Sequence, residues 1–201
     1  MKTLTQKVNE VNKVYRRLDK EIDTFQKNSG LSCLNGCGEC CKKPDIEATP
    51  IEFLPLALQY YDEGIAEKMY EELQDRTDSL CHIFRPYVTN FGGMCSRYPN
   101  RGLICRLFGY SARKNKEGKP ELVTCKLIKA GQSEAFEKAV EDLKSGLKVP
   151  VMSDYYTRMT SIDPSLAEFY PINKAAQKAI EVVLHYYSYR KRRVSRRNKI
   201  E

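Results

Sequence analysis

Four of the eight cysteines in this 201-residue chain fall within nine residues, Cys33-Leu34-Asn35-Gly36-Cys37-Gly38-Glu39-Cys40-Cys41, at the spacing C-x3-C-x2-C-C. Gly36 and Gly38 lie inside the cluster, so the backbone can fold back and bring sulfur atoms together without the cost of a Cβ. The other four, Cys81, Cys95, Cys105 and Cys125, occupy the middle third. Thiols crowded in this way form disulfides, bind a metal or carry a redox step. Thiolates are soft ligands that suit zinc, Cu(I) and iron–sulfur clusters. With only two histidines, His82 and His185, a histidine-rich catalytic zinc or non-haem iron site is not expected. Eight thiols are enough for two four-sulfur sites. Adjacent Cys40 and Cys41 point different ways in most backbone conformations, so they are expected to serve two sites, or one as a ligand and the other as a redox or supporting group. His82 follows Cys81 directly and is a candidate either for packing or for ligation and hydrogen bonding to a thiolate.

Composition bounds the alternatives. The chain is 41% hydrophobic and 30% charged, which describes an ordinary globular protein with a sizeable core. No stretch of about 18 apolar residues occurs, and the opening Met-Lys-Thr-Leu-Thr-Gln has no apolar run like that of a signal peptide. A cytoplasmic protein without membrane association is therefore expected, and in that compartment thiols favour metal binding over a disulfide framework. The net charge of +8 is local. Residues 185–201 hold seven Lys/Arg against Glu201, a net of +6, which leaves about +2 for the rest. The basic stretch 190–199, preceded by Tyr186, Tyr187 and Tyr189, could meet nucleic acid or an acidic protein.

The elements around the cysteines can be read from periodicity. Leu4, Val8, Val11, Tyr15, Leu18, Ile22 and Phe25 form the stripe of an amphipathic helix over residues 4–27, ended by Asn28-Ser29-Gly30. Thr49-Pro50-Ile51-Glu52 is a capping-box start with proline at the first helical position, for a helix running to Gly64. A second helix is expected over 65–78. Residues 81–126 are broken by Pro and Gly, which predicts loops and short strands, the strands at Leu103–Tyr110 and Leu122–Cys125. Helices resume at Ser133 to about Gly146, with an Asp163-Pro164 start later and a long helix over 172–190. A loop-rich segment with four cysteines would gain order from whatever joins them; structural zinc contributes on the order of 10–16 kcal/mol in finger peptides.

Cys33-x3-Cys37-x2-Cys40 also has the spacing of the radical S-adenosylmethionine motif. Against that reading, a helix precedes it instead of a strand, the chain is short for a large β/α barrel, and Glu39 stands where an aromatic residue is usual.

The run Cys37-Gly38-Glu39-Cys40-Cys41, then Pro44-Asp45-Ile46 and Thr49-Pro50-Ile51-Glu52, then Cys95-Ser96-Arg97-Tyr98-Pro99 and Cys105-Arg106-Leu107-Phe108 resembles the YkgJ-like CxxCxxCC cysteine-cluster family, a zinc- or iron-chelating domain related to the flagellin lysine-N-methylases. The resemblance spans residues 33–126. By position it matches Cys37, Cys40, Cys41, Cys95 and Cys105 directly, Cys33 and Cys81 with shifted spacing, and Cys125 least closely. The chain has one extra residue between Cys33 and Cys37, and glycines at 102 and 109 where the family usually has proline. Arg106, in the Cys-Arg-Leu-Phe element, is a cation that would offset the negative charge of a thiolate site.

The expected architecture is mainly α, a single helical domain with an irregular cysteine-rich metal-binding segment and little β structure. Its parts are an amphipathic helix over 1–30, a cysteine-cluster domain over 31–188 and a basic tail over 189–201. The expected function is a cytosolic metal-binding protein whose cysteines hold an iron–sulfur cluster, zinc or both. A methyltransferase of the flagellin-methylase type and a nucleic-acid-binding protein are the alternatives. No Ser/His/Asp set or phosphate loop is present, and the sequence names no catalytic residue.

Overall fold

The computed structural model describes residues 2–34, 36–87 and 92–190, and the greater part of the basic tail, from residue 191 on, lies outside them. The long first helix, α1 (Leu4–Ser29), begins at Thr3, whose side chain accepts the Gln6 N–H while the Gln6 side chain accepts the Thr3 N–H. It ends at Gly30 with φ 72°, whose N–H closes on the Gln26 carbonyl. The seven apolar residues of its stripe are all buried, as a face repeating every three to four residues requires.

A short strand, β1 (Glu47–Ala48), leads into the Thr49–Glu52 capping box. One turn of 3-10 helix at Pro50–Phe53 then passes into α2 (Leu54–Asp62), followed by α3 (Ala66–Gln74). The hairpin β2 (Phe84–Pro86) with β3 (Gly93–Cys95) comes next, then the five-residue helix α4 (Leu103–Leu107). A second hairpin, β4 (Ser111–Lys114) and β5 (Pro120–Val123), turns around Asn115, whose side-chain Oδ1 accepts the N–H groups of Glu117 and Lys119. The chain continues through α5 (Lys126–Gly131), α6 (Ser133–Lys144) and α7 (Met152–Thr160), the short strand β6 (Tyr170–Pro171) and α8 (Ile172–Ser188). The fold is mainly α, and among the described residues the sheets are three two-stranded pairs.

Helix α8 packs on α2 and α3, and α1 packs on α2. Ile172, Ala175, Ala176, Ala179, Ile180 and Val183 of α8 join Leu54, Leu56, Ala57 and Tyr60 of α2 and most of the α1 stripe in the main core. A smaller core gathers Phe25, Leu31, Ile128 and Ala139, so the last turn of α1 is tied to α5 and α6. No described helix is long and apolar enough to cross a membrane.

Two local expectations are corrected. Leu103–Tyr110 is not a strand: its first five residues are α4, because the Glu52 carboxylate accepts the backbone N–H of Ile104 at 3.1 Å and so caps the helix from a distant segment. The strand placed at Leu122–Cys125 runs instead from Pro120 to Val123. Helix α7, which carries buried Tyr155 and Met159, was not anticipated. With only two buried residues in nine, its periodic signal is weak.

Candidate metal centre

The loop that carries Cys33, Cys37, Cys40 and Cys41 is held by glycines. Gly36 and Gly38 adopt φ of 68° and 64°, the left-handed region open to glycine. A Cβ on Gly38 would stand 2.5 Å from Cε2 of Phe84, and one on Gly93 would stand 2.4 Å from the same atom. The Gly93 N–H reaches the Gly36 carbonyl at 2.9 Å. The cysteine loop therefore lies against the β2–β3 hairpin at backbone contact, and Cys95 at the end of β3 is carried with it. After Gly38 the chain makes one 3-10 turn, Glu39–Lys42, with no buried residue.

Three side chains remote in sequence fix the backbone beside other cysteines. Asn173, in the first turn of α8, accepts the His82 N–H at 2.9 Å and donates to the Leu80 carbonyl at 2.8 Å, bracketing Cys81. Gln132, between α5 and α6, accepts the Ser32 N–H at 2.9 Å and donates to the Ser32 carbonyl at 2.7 Å. It links the approach to Cys33 with the helix that starts just after Cys125. Glu52, fully buried, accepts from Thr49 N–H at 2.8 Å and Thr49 hydroxyl at 3.0 Å through one oxygen, and from Ile104 N–H through the other. It thus sets the start of α4, the helix of Cys105. Sequence reading found Glu52 only as a local cap and missed Asn173 and Gln132, because isolated amides carry no spacing signal.

These devices bring the two cysteine-bearing stretches together. One small cavity, about 30 Å³, is lined by Cys40, Cys41, Cys81 and Cys105, with Lys43, Ile46, Ile104, Phe108 and Ile172 completing its wall. That is room for about one water-sized sphere. The Cys81 N–H points at the Cys41 carbonyl, 3.4 Å away. Cys95 and Cys105 lie within electrostatic reach of Cys40, while Cys33 feels Cys37, Cys40 and Cys125. All eight cysteines are free thiols. Among the described residues no three His, Cys, Asp or Glu side chains converge closely enough to enclose an ion as they stand. They line a chamber, and the donor set around it is sulfur.

The thiols are not equivalent. A hydrogen bond from Cys41, with Arg101 nearby, holds Cys40 down to about 6, and the same bond with burial pushes Cys41 far up. Burial pushes Cys81 up to about 11 and raises Cys95, and burial together with the charge of Cys81 raises Cys105 well above the usual thiol range. Gathering several thiolates at one place is thus unfavourable until a cation joins them.

His82 is buried, with Nε2 3.3 Å from the Tyr60 hydroxyl and Nδ1 without a hydrogen-bond partner among the described residues. Burial lowers its pKa to about 4, so the ring is neutral at pH 7. Arg106 is also buried, but its guanidinium faces α1. It pairs with both oxygens of Asp19, donates to the carbonyls of Pro99 and Arg101, and lies 4.2 Å above the Tyr15 ring. Its charge still reaches Cys95, as does that of Arg101.

A family model, CxxCxxCC, described as "Putative zinc- or iron-chelating domain", matches residues 32–126. The chain is similar to this family over the segment that holds all eight cysteines; the match begins one residue before Cys33 and ends one residue after Cys125. All of α1 precedes it, and α6, α7 and α8 follow it. The comparison with curated proteins and the comparison with solved structures each gave no match.

Proposed function

We propose that the chain is a metal-binding protein of the cytosol whose cysteines from 33–41 and from 81–125 act on the same centre. The observation that carries this reading is the cavity whose wall takes Cys40 and Cys41 from one stretch and Cys81 and Cys105 from the other. Cys33, Cys37, Cys95 and Cys125 complete the ligand set in this proposal. Sulfur-only donors suit zinc, iron and iron–sulfur clusters, and eight thiols exceed the four of one zinc site, which supports an iron–sulfur cluster, alone or beside zinc. Closing the thiols on a metal takes side-chain rotations, and the 3-10 turn Glu39–Lys42, with no buried residue, is the part of the wall able to give. Lys43 and Arg101 supply cations at the rim that offset thiolate charge.

Elemental analysis and an absorption spectrum of anaerobically purified protein test this reading. Iron with acid-labile sulfide and a brown colour is the expected result. Zinc alone in a colourless sample would replace the cluster with a zinc site, and protein free of any metal would overturn the reading.

A further inference from the structure

At the ends of α1 and α8 remote from the cysteine-bearing segments, the start of α1 and the end of α8 line a cleft of about 490 Å³. Among the described residues its polar lining is cationic or neutral: Lys2, Thr3, Lys7, His185 and Arg190, with Tyr186 and Tyr189, and no carboxylate. Lys7 is already paired with Asp163 at 2.5 Å, which leaves Lys2 and Arg190, among the described residues, as charges presented to a ligand. The tyrosines differ in availability. Tyr187 stacks on Tyr61, centroids 4.3 Å apart, and is committed to packing. Tyr186 carries the Arg190 guanidinium over its ring at 4.6 Å. Tyr189 is 81% exposed, and its ring is oriented by the edge-on imidazole of His185, 5.5 Å away.

We propose that this cleft is a binding site for single-stranded nucleic acid, with Tyr189 as the surface on which a base stacks and Lys2 and Arg190 as phosphate contacts. An anion with a flat apolar face satisfies both halves of the lining, since every base offers a π-face to an exposed aromatic ring and phosphates answer the cations. A polymer fits better than a mononucleotide, because six further Lys/Arg follow within residues 191–199, immediately after Arg190. The site is independent of the thiol chamber, so its success or failure leaves the metal reading untouched.

The test is fluorescence anisotropy of a labelled single-stranded oligonucleotide of mixed sequence titrated with the full-length, metal-loaded protein. Tyr189→Ala is expected to weaken binding about 5- to 160-fold, the range of one base–aromatic stack. Arg190→Ala is expected to reduce the slope of log K against log salt by about 0.7. A duplex of the same sequence should bind more weakly and ignore Tyr189→Ala. Tyr189 is exposed, so loss of folding does not confound the variant. Unchanged binding by Tyr189→Ala would overturn the proposal, and so would equal binding of single strand, duplex and anionic lipid vesicles, which would mark a general attraction of the basic stretch.

Discussion

Glu52 accepts the backbone N–H of Ile104 at 3.1 Å through one carboxylate oxygen, while its other oxygen closes the capping box at Thr49. One buried carboxylate thus starts two helical segments and joins the chain that follows the first cysteine stretch to the helix of Cys105.

Burial raises the Glu52 pKa from its usual value of 4.5 to about 6, against the lowering effect of its hydrogen bonds. The folded state therefore holds this proton over a range where the unfolded chain has released it. Stability contributed by the group is full below about pH 4.5 and is lost as pH rises through about 6, on the order of 2 kcal/mol in all. Urea unfolding of wild type and Glu52→Gln across that range should show wild type losing about this much stability relative to the variant as pH rises from 4.5 to above 6. Parallel pH profiles would contradict it. Glu52→Ala should be the more damaging change, by about 2–4 kcal/mol, since buried N–H groups at Thr49 and Ile104 lose their acceptor.

Gly38 and Gly30 separate backbone strain from packing. Both have positive φ, but a Cβ on Gly30 meets nothing within 4 Å, whereas one on Gly38 meets Phe84 at 2.5 Å. Gly30→Ala should cost about 1 kcal/mol in thermal or chemical unfolding. Gly38→Ala should cost more than twice that and also lower the metal content, because the cysteine loop must lift off the hairpin. Equal effects of the two changes would show that the loop is not set by the Phe84 contact.

Asn173 holds Cys81 through its neighbours on both sides. In Asn173→Ala the His82 N–H and the Leu80 carbonyl lose their partners, and bound metal should escape to a chelator several-fold faster than from wild type. Asn173→Asp keeps the acceptor for His82 but loses the donor to Leu80, and its rate should fall between the two. A chelation rate that does not change in Asn173→Ala would remove this residue from any role at the centre.

Much of the helical frame was legible in the sequence, because α1 presents an unbroken stripe from Leu4 to Phe25 and stops at a glycine, and the capping box at Thr49–Glu52 and the long α8 are equally local signals. The cysteines themselves announced a thiol site. What could not be read was the wiring between distant segments. Helix α4 has five residues and takes its first-turn acceptor from Glu52, so local propensity around Leu103–Leu107 suggested strand where a remote cap decided for helix. The positions of Cys33 and Cys81 depend on Gln132 and Asn173, whose identities mean nothing until the chain is folded. Arg106 was marked by its place in a motif, yet only the structure shows that Asp19 and two carbonyls take up its hydrogen bonds.

The central claim is that thiols from both stretches belong to one centre. Metal per chain in Cys37→Ser and Cys105→Ser, each purified without oxygen and compared with wild type, tests it most directly. Both substitutions should lower the metal content to a similar degree. Wild-type metal content in Cys105→Ser, with loss confined to Cys37→Ser, would contradict the account by showing that the first stretch binds on its own.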